Sequence, residues 1–120
     1  MKKKILIAED DPSIIEALTY MLEDEGYAVD CVDGKIELDG DKTKHPDLIL
    51  LDILMSGVDG RTVCKKLKSK EETKKIPVII ISANRRIKEI AHEAGADDFI
   101  IKPFDMDELL QKIEAYTAVN

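Results

Sequence analysis

Four consecutive apolar residues, Leu48 to Leu51, run directly into a carboxylate, Asp52. Pro46 precedes the run and Gly57 and Gly60 follow it, which leaves too little length for a helix. The run suits a strand buried on both faces, as in a parallel sheet with both faces covered. An ionised side chain at the end of such a strand loses hydration and has to be compensated. Taken alone, Asp52 has two readings: a cap for the next turn, or a functional group held at the end of a buried strand.

The same pattern recurs along the chain. Residues 5–8 are all apolar and end in Glu9, Asp10 and Asp11; residues 78–81 end in Ser82; residues 99–101 end in Lys102 and Pro103. Residues 27–32 alternate, with Tyr27, Val29 and Cys31 apolar, as an edge strand would. Helix signals lie between these runs. Asp11 followed by Pro12 is an N-cap with proline at the first helical position, and Ile14, Ile15, Leu18, Met21 and Leu22 form one apolar face that closes at Gly26. Val63, Cys64 and Leu67 mark a helix after Gly60, and residues 84–94 another with Ile87, Ile90, Ala91 and Ala94 inward and Gly95 beyond its end. Asp105 with Glu108 resembles a capping box before Leu109, Leu110 and Ile113. The weak stretch is 33–45, where only Ile36 and Leu38 are apolar and Gly40 sits mid-segment; a short, irregular or mobile helix is expected there.

Five strand–helix alternations predict an α/β fold, a doubly wound five-stranded parallel sheet in three α/β/α layers, with right-handed crossovers. The 120 residues form a single domain, 1–120, with no linker or repeat. Its core is aliphatic, since 44% of residues are apolar but only 4% aromatic. Cys31 and Cys64 lack CxxC spacing or a flanking histidine, and are expected as reduced, packed thiols. The net charge of −7 would repel a nucleic-acid backbone or an anionic membrane, so neither is expected as a direct partner. The lysines of residues 65–75 are interrupted by acids and read as a solvated helix face. No run reaches transmembrane length, and the expected location is the cytoplasm.

In a parallel sheet, the carboxyl ends of the strands share one rim, where sites form near the switch point. That rim would gather Glu9, Asp10, Asp52, Ser82 and Lys102 from distant parts of the chain. Two carboxylates about 4 Å apart repel by roughly 4 kcal/mol at an effective dielectric near 20. Three together call for a cation, and a set of hard oxygens without imidazole or thiolate favours Mg²⁺, with Mn²⁺ possible, over zinc. A carboxylate can also act as a nucleophile towards a phosphoryl group, whose transfer needs its oxygens neutralised and little else. The plainer alternative is a structural lysine–aspartate pair without chemistry.

The motifs IAEDDP, LLDILMSGVDG, IIISA and GADDFIIKPFD, in that order and spacing, closely resemble the receiver domain of two-component response regulators. The resemblance covers essentially the whole chain. It implies a flavodoxin-like fold with strand order 2-1-3-4-5. It implies that Asp52 accepts a phosphoryl group from a histidine kinase or a histidine phosphotransfer protein, and that Glu9, Asp10, Asp52 and the Leu54 backbone carbonyl hold Mg²⁺. Ser82 and Phe99 match the two switch positions, and Lys102 the lysine that precedes a cis-proline. The signalling surface would be helix 4, strand 5 and helix 5, about residues 84–116, acting on a downstream protein target or on an output domain outside this chain. Two departures stand out: Ser56 replaces a common proline, and Leu54 is large and apolar where it would shield the acyl phosphate from water. A haloacid dehalogenase-like phosphohydrolase would need an acid where Leu54 stands, and a flavodoxin-like carrier would not place three acids in its phosphate loop. The intact acidic set also counts against a receiver that is never phosphorylated. His45 and His92 lack partners at ligand spacing, and Met21 and Met55 are expected to pack inward.

Overall fold

The structure, a computed structural model, describes residues 2–32, 36, 38, 42–55 and 57–118. Strands β1 (Lys4–Ala8), β2 (Ala28–Val32), β3 (Leu48–Asp52), β6 (Val78–Ser82) and β7 (Asp98–Ile101) form one parallel sheet in the order β2-β1-β3-β6-β7. A separate two-stranded ribbon, β4 (Leu54–Met55) with β5 (Val58–Asp59), accounts for the intervening numbers. Counting only the five sheet strands, this is the expected 2-1-3-4-5 order.

The continuous apolar runs are explained by two cores, one on each face. Successive strand residues point to opposite faces. Leu6, Ala8, Ile49, Leu51, Val78 and Ile80 therefore meet Cys64 and Leu67 of α2 (Gly60–Ser69) and Ile87, Ala91 and Ala94 of α3 (Ile87–Ala94). Their neighbours Ile5, Ile7, Leu48, Leu50, Ile79 and Ile81 meet Leu18 and Leu22 of α1 (Pro12–Asp24) and Leu109 and Ile113 of α4 (Met106–Thr117). The result is the three-layer arrangement the sequence predicts. Among the described residues, no helix is long and apolar enough to cross a membrane.

Local signals set most boundaries. The Asp11 side chain accepts from Ser13 N with Pro12 in the first turn, and the Asp105 side chain accepts from Asp107 N at 2.8 Å. Gly95 ends α3 at φ 80°, a left-handed conformation that favours glycine. Helix α3 starts at Ile87, three residues later than the apolar spacing predicts, because Asn84 Oδ1 accepts from Arg86 N and turns the chain first.

Residues 33–35, 37 and 39–41 of the weak stretch lie outside the described residues, as does Ser56. In that stretch a 3-10 turn spans Lys42–Lys44, while Ile36 and Leu38 are non-helical and pack against the α2/α3 core. Met55 is buried and Met21 packs against the other core, as expected.

The packing expected for one of the two thiols fails. Cys31 is exposed rather than packed, since β2 is an edge strand and Cys31 reaches only the side of α1, 3.8 Å from Thr19 Oγ1. Cys64 is fully buried, and burial pushes its thiol up to about 11. Because the thiolate is the reactive form, iodoacetamide at pH 8 should modify one equivalent in the native protein, at Cys31, and both thiols after denaturation. Peptide mapping that found native Cys64 modified first would contradict this packing.

Candidate functional site

Three strands end in a single pocket. Residues Glu9 and Asp10 follow β1, Asp52 closes β3, and Lys102 follows β7. One carboxylate oxygen from each of Glu9, Asp10 and Asp52 lies within 4.8 Å of the other two. Lys102 Nζ stands between two of these acids, 3.1 Å from Glu9 Oε1 and 3.1 Å from Asp52 Oδ2. Glu9 and Asp52 are buried, whereas Asp10 faces solvent.

The charges are unevenly balanced. Burial, and after it the hydrogen bond to Asp52, pushes the Glu9 carboxyl up to about 7. Burial opposes the Lys102 ammonium, but the hydrogen bonds to Asp52 and Glu9 outweigh it and raise its pKa above the ordinary lysine value. Three carboxylates clustered at a partly desolvated rim supply the hard oxygen donors that a divalent cation such as Mg²⁺ favours.

Backbone geometry fixes the acceptor side. Leu54 N donates to Asp52 Oδ1 at 3.2 Å, so both carboxylate oxygens of Asp52 carry a donor. Gly60 packs α2 directly on the end of β3: a Cβ built there would lie 2.5 Å from the Asp52 carbonyl oxygen. No side chain fits so close to backbone, which accounts for glycine at the start of α2. The ribbon β4–β5 then turns the chain so that the Leu54 side chain is 79% exposed beside the pocket. The sequence reading did not single out this ribbon. The dipeptide Ser56-Gly57, flanked by the apolar residues Leu54, Met55 and Val58, was the available hairpin signal.

The remaining sequence candidates take distinct places. Ser82 is buried at the end of β6, one residue past Ile81, which pairs with Asp52 across the sheet. Its Oγ accepts from Asn84 N at 3.0 Å. Phe99 is half-buried on β7, away from the acids, and packs against the α2/α3 core. The Lys102–Pro103 peptide bond is cis. His92 is exposed on α3. No local pattern singles out Lys112, whose Nζ lies 5.9 Å from the Phe99 ring centroid.

The family model described as response regulator receiver domain matches residues 5–114. The chain is 39% identical over 121 residues to the DNA-binding dual master transcriptional regulator RpaA of Synechocystis, covering 93% of this chain and 48% of that protein. It spans about half the length of the curated relatives it matches. A CheY-like receiver domain protein of Methanospirillum hungatei superposes with a TM-score of 0.84 at 28% identity, covering 98% of this chain and 94% of the other. The receiver domain of a sensor histidine kinase of Pseudomonas aeruginosa, which holds a magnesium ion in its active-site cleft, gives 0.78 at 27% identity over 99% of this chain and 100% of its own.

The pocket's charge predicts a pH dependence of stability. The folded pKa of Glu9 lies above the value of 4.5 for an unperturbed carboxyl, so folding favours its protonated form. That contribution is complete below about 4.5 and is lost as pH rises through about 7. In the presence of EDTA, wild-type stability should therefore fall between pH 5 and 8, and Glu9→Gln should flatten the fall and unfold at higher denaturant concentration at pH 8. Equal midpoints for the two proteins at pH 8 would show that the clustered charge carries no such strain.

Proposed function

We propose a role for each residue of the pocket from one premise: this chain belongs to the family of response regulator receiver domains, the phosphoacceptor signalling domains of two-component systems. In this reading Asp52 takes a phosphoryl group from the phosphohistidine of a histidine kinase or a histidine phosphotransfer protein. A carboxylate oxygen forms the new bond to phosphorus as the phosphorus–nitrogen bond breaks, and the imidazole nitrogen keeps the electron pair. The observation that carries the reading is the convergence of Lys102, Glu9 and Asp10 on Asp52. Lys102 Nζ and Leu54 N each hold one Asp52 oxygen and so orient the nucleophile.

Glu9, Asp10, Asp52 and the Leu54 backbone carbonyl would hold Mg²⁺, or Mn²⁺ in its place. The close set of hard oxygens supports that assignment. When bound, the ion neutralises charge on the phosphoryl oxygens. Lys102, freed from its carboxylate partners, supplies an ammonium to the same group, and the Ser82 hydroxyl turns from Asn84 N to donate to it. These contacts exist only in the phosphorylated state, so they shift the equilibrium between two conformations. Phe99 moves with that shift, and the surface formed by α3, β7 and α4, residues 84–116, changes its partner preference.

The domain assists its own phosphorylation and dephosphorylation and turns over no separate substrate. It works in the cytoplasm with a histidine kinase or phosphotransfer protein. Its response passes to a separate protein target or to an output domain outside these residues. The net charge of −7 supports a protein partner over direct contact with nucleic acid or a membrane surface.

Incubation with Mg²⁺ and acetyl phosphate should add one phosphoryl group by mass, and Asp52→Asn should remove that adduct. An adduct that persists in Asp52→Asn overturns the assignment. The exposed Leu54 side chain shields the acyl phosphate from in-line water. Leu54→Asn should accelerate dephosphorylation on the order of tenfold, equivalent to about 1.4 kcal/mol in the barrier; an unchanged lifetime would remove Leu54 from this role.

A further inference from the structure

Phe99 stands on the edge strand β7 with its ring against the α2/α3 core, whereas α4 lies on the opposite face with Leu109 and Ile113 in the other core. Lys112, on the same helix, reaches round the open edge of the sheet. Its Nζ pairs with Asp98 Oδ1 at 3.1 Å and stands 5.9 Å from the centroid of the Phe99 ring. One turn further along α4, the Tyr116 hydroxyl donates to the Asp97 carbonyl at 2.9 Å. Helix α4 thus grips the start of β7 at two successive turns, and the Lys112 grip includes the ring. Neither Lys112 nor Asp98 belongs to the acidic pocket.

A cation within about 6 Å of an aromatic face is attracted by the negative face of the ring, and the attraction depends on ring orientation. Asp98 fixes the ammonium, so little side-chain freedom remains to be lost when the ring comes under it. We propose that Lys112 is a positioning residue for Phe99: anchored by Asp98, it holds the ring as seen here and biases the α3–β7–α4 surface towards its resting arrangement. This rests on the reading of Phe99 as the aromatic that moves during the response. The competing account is an ordinary half-exposed ion pair between Lys112 and Asp98, which contributes little and owes nothing to the ring.

The two accounts separate in a double-mutant cycle on the full chain, titrated with beryllofluoride in saturating Mg²⁺ and followed by backbone amide shifts around Asp52. Lys112→Met keeps the aliphatic stem and removes the cation. Loss of an exposed cation–π contact from the resting arrangement should tighten beryllofluoride binding about two- to fivefold. Lys112→Arg keeps a cation over the ring and should bind as the wild type does. In a Phe99→Leu background the Lys112→Met effect should vanish. Wild-type affinity in Lys112→Met, or the same tightening without the ring, overturns the proposal. A wild-type protein that fails to bind beryllofluoride overturns the pocket reading and this proposal together, and is recognisable because that failure is independent of residue 112.

Discussion

The contact of one ammonium with two buried carboxylates, Lys102 with Glu9 and Asp52, is the constraint on which the site depends. Removing ionised groups from water costs several kcal/mol each, and pairing recovers that only where the remaining lone pairs are also satisfied. Here a third acid, Asp10, brings a carboxylate oxygen within 4.8 Å of both Glu9 and Asp52. The fold therefore holds like charges together at the expense of its own stability. Such an arrangement is informative because packing alone would disfavour it, and because a bound cation would relieve the repulsion.

The sheet makes that concentration of charge achievable. Parallel strands place every carboxyl end on the same rim, so Glu9, Asp52, Ser82 and Lys102 converge although they are far apart in the chain. Each needs only to follow a buried run. Both cores anchor those runs: β3 and β6 consist wholly of buried residues, including Asp52 and Ser82 at their last positions. Rigid strands then fix the polar groups more tightly than loops could. Gly60 adds a local constraint by letting α2 touch the end of β3, which closes the Asp52 side of the pocket.

Much of this was legible in the sequence because each signal was local. An apolar run ending in a polar residue marks a buried strand and its rim position at once, as for Leu48–Asp52 and Val78–Ser82. Caps at Asp11 and Asp105 and the left-handed Gly95 were equally plain. What local patterns did not reveal depended on tertiary placement. Cys31 belongs to an alternating strand, but only the edge position of β2 decides that its thiol meets solvent. The start of α3 follows from a side-chain turn at Asn84 that competes with the apolar spacing. Lys112 occupies a helical position where lysine ordinarily faces water, and its meeting with Phe99 requires α4 to pack along the edge of β7.

The same strands that hold the pocket would carry its proposed connection to the distant surface. Lys102 N donates to the Ser82 carbonyl at 2.9 Å, and Ser82 pairs with Ile101, so the ends of β6 and β7 are joined where the proposed phosphoryl contacts would form. Phe99 lies three residues back along β7, and Asn84 leads from Ser82 into α3. A new anion beside Asp52 would draw on Ser82 and Lys102 together, and both are attached to the elements that shape the α3–β7–α4 face. The contacts made in one state alone set the size of the response, since a group bound equally in both states shifts neither. Residues that hold the resting arrangement, away from the acids, then tune the response without altering the chemistry. The proposed role of Lys112 fits that description: it pairs with Asp98 of β7 and lies over the Phe99 ring, outside the cluster of Glu9, Asp10 and Asp52.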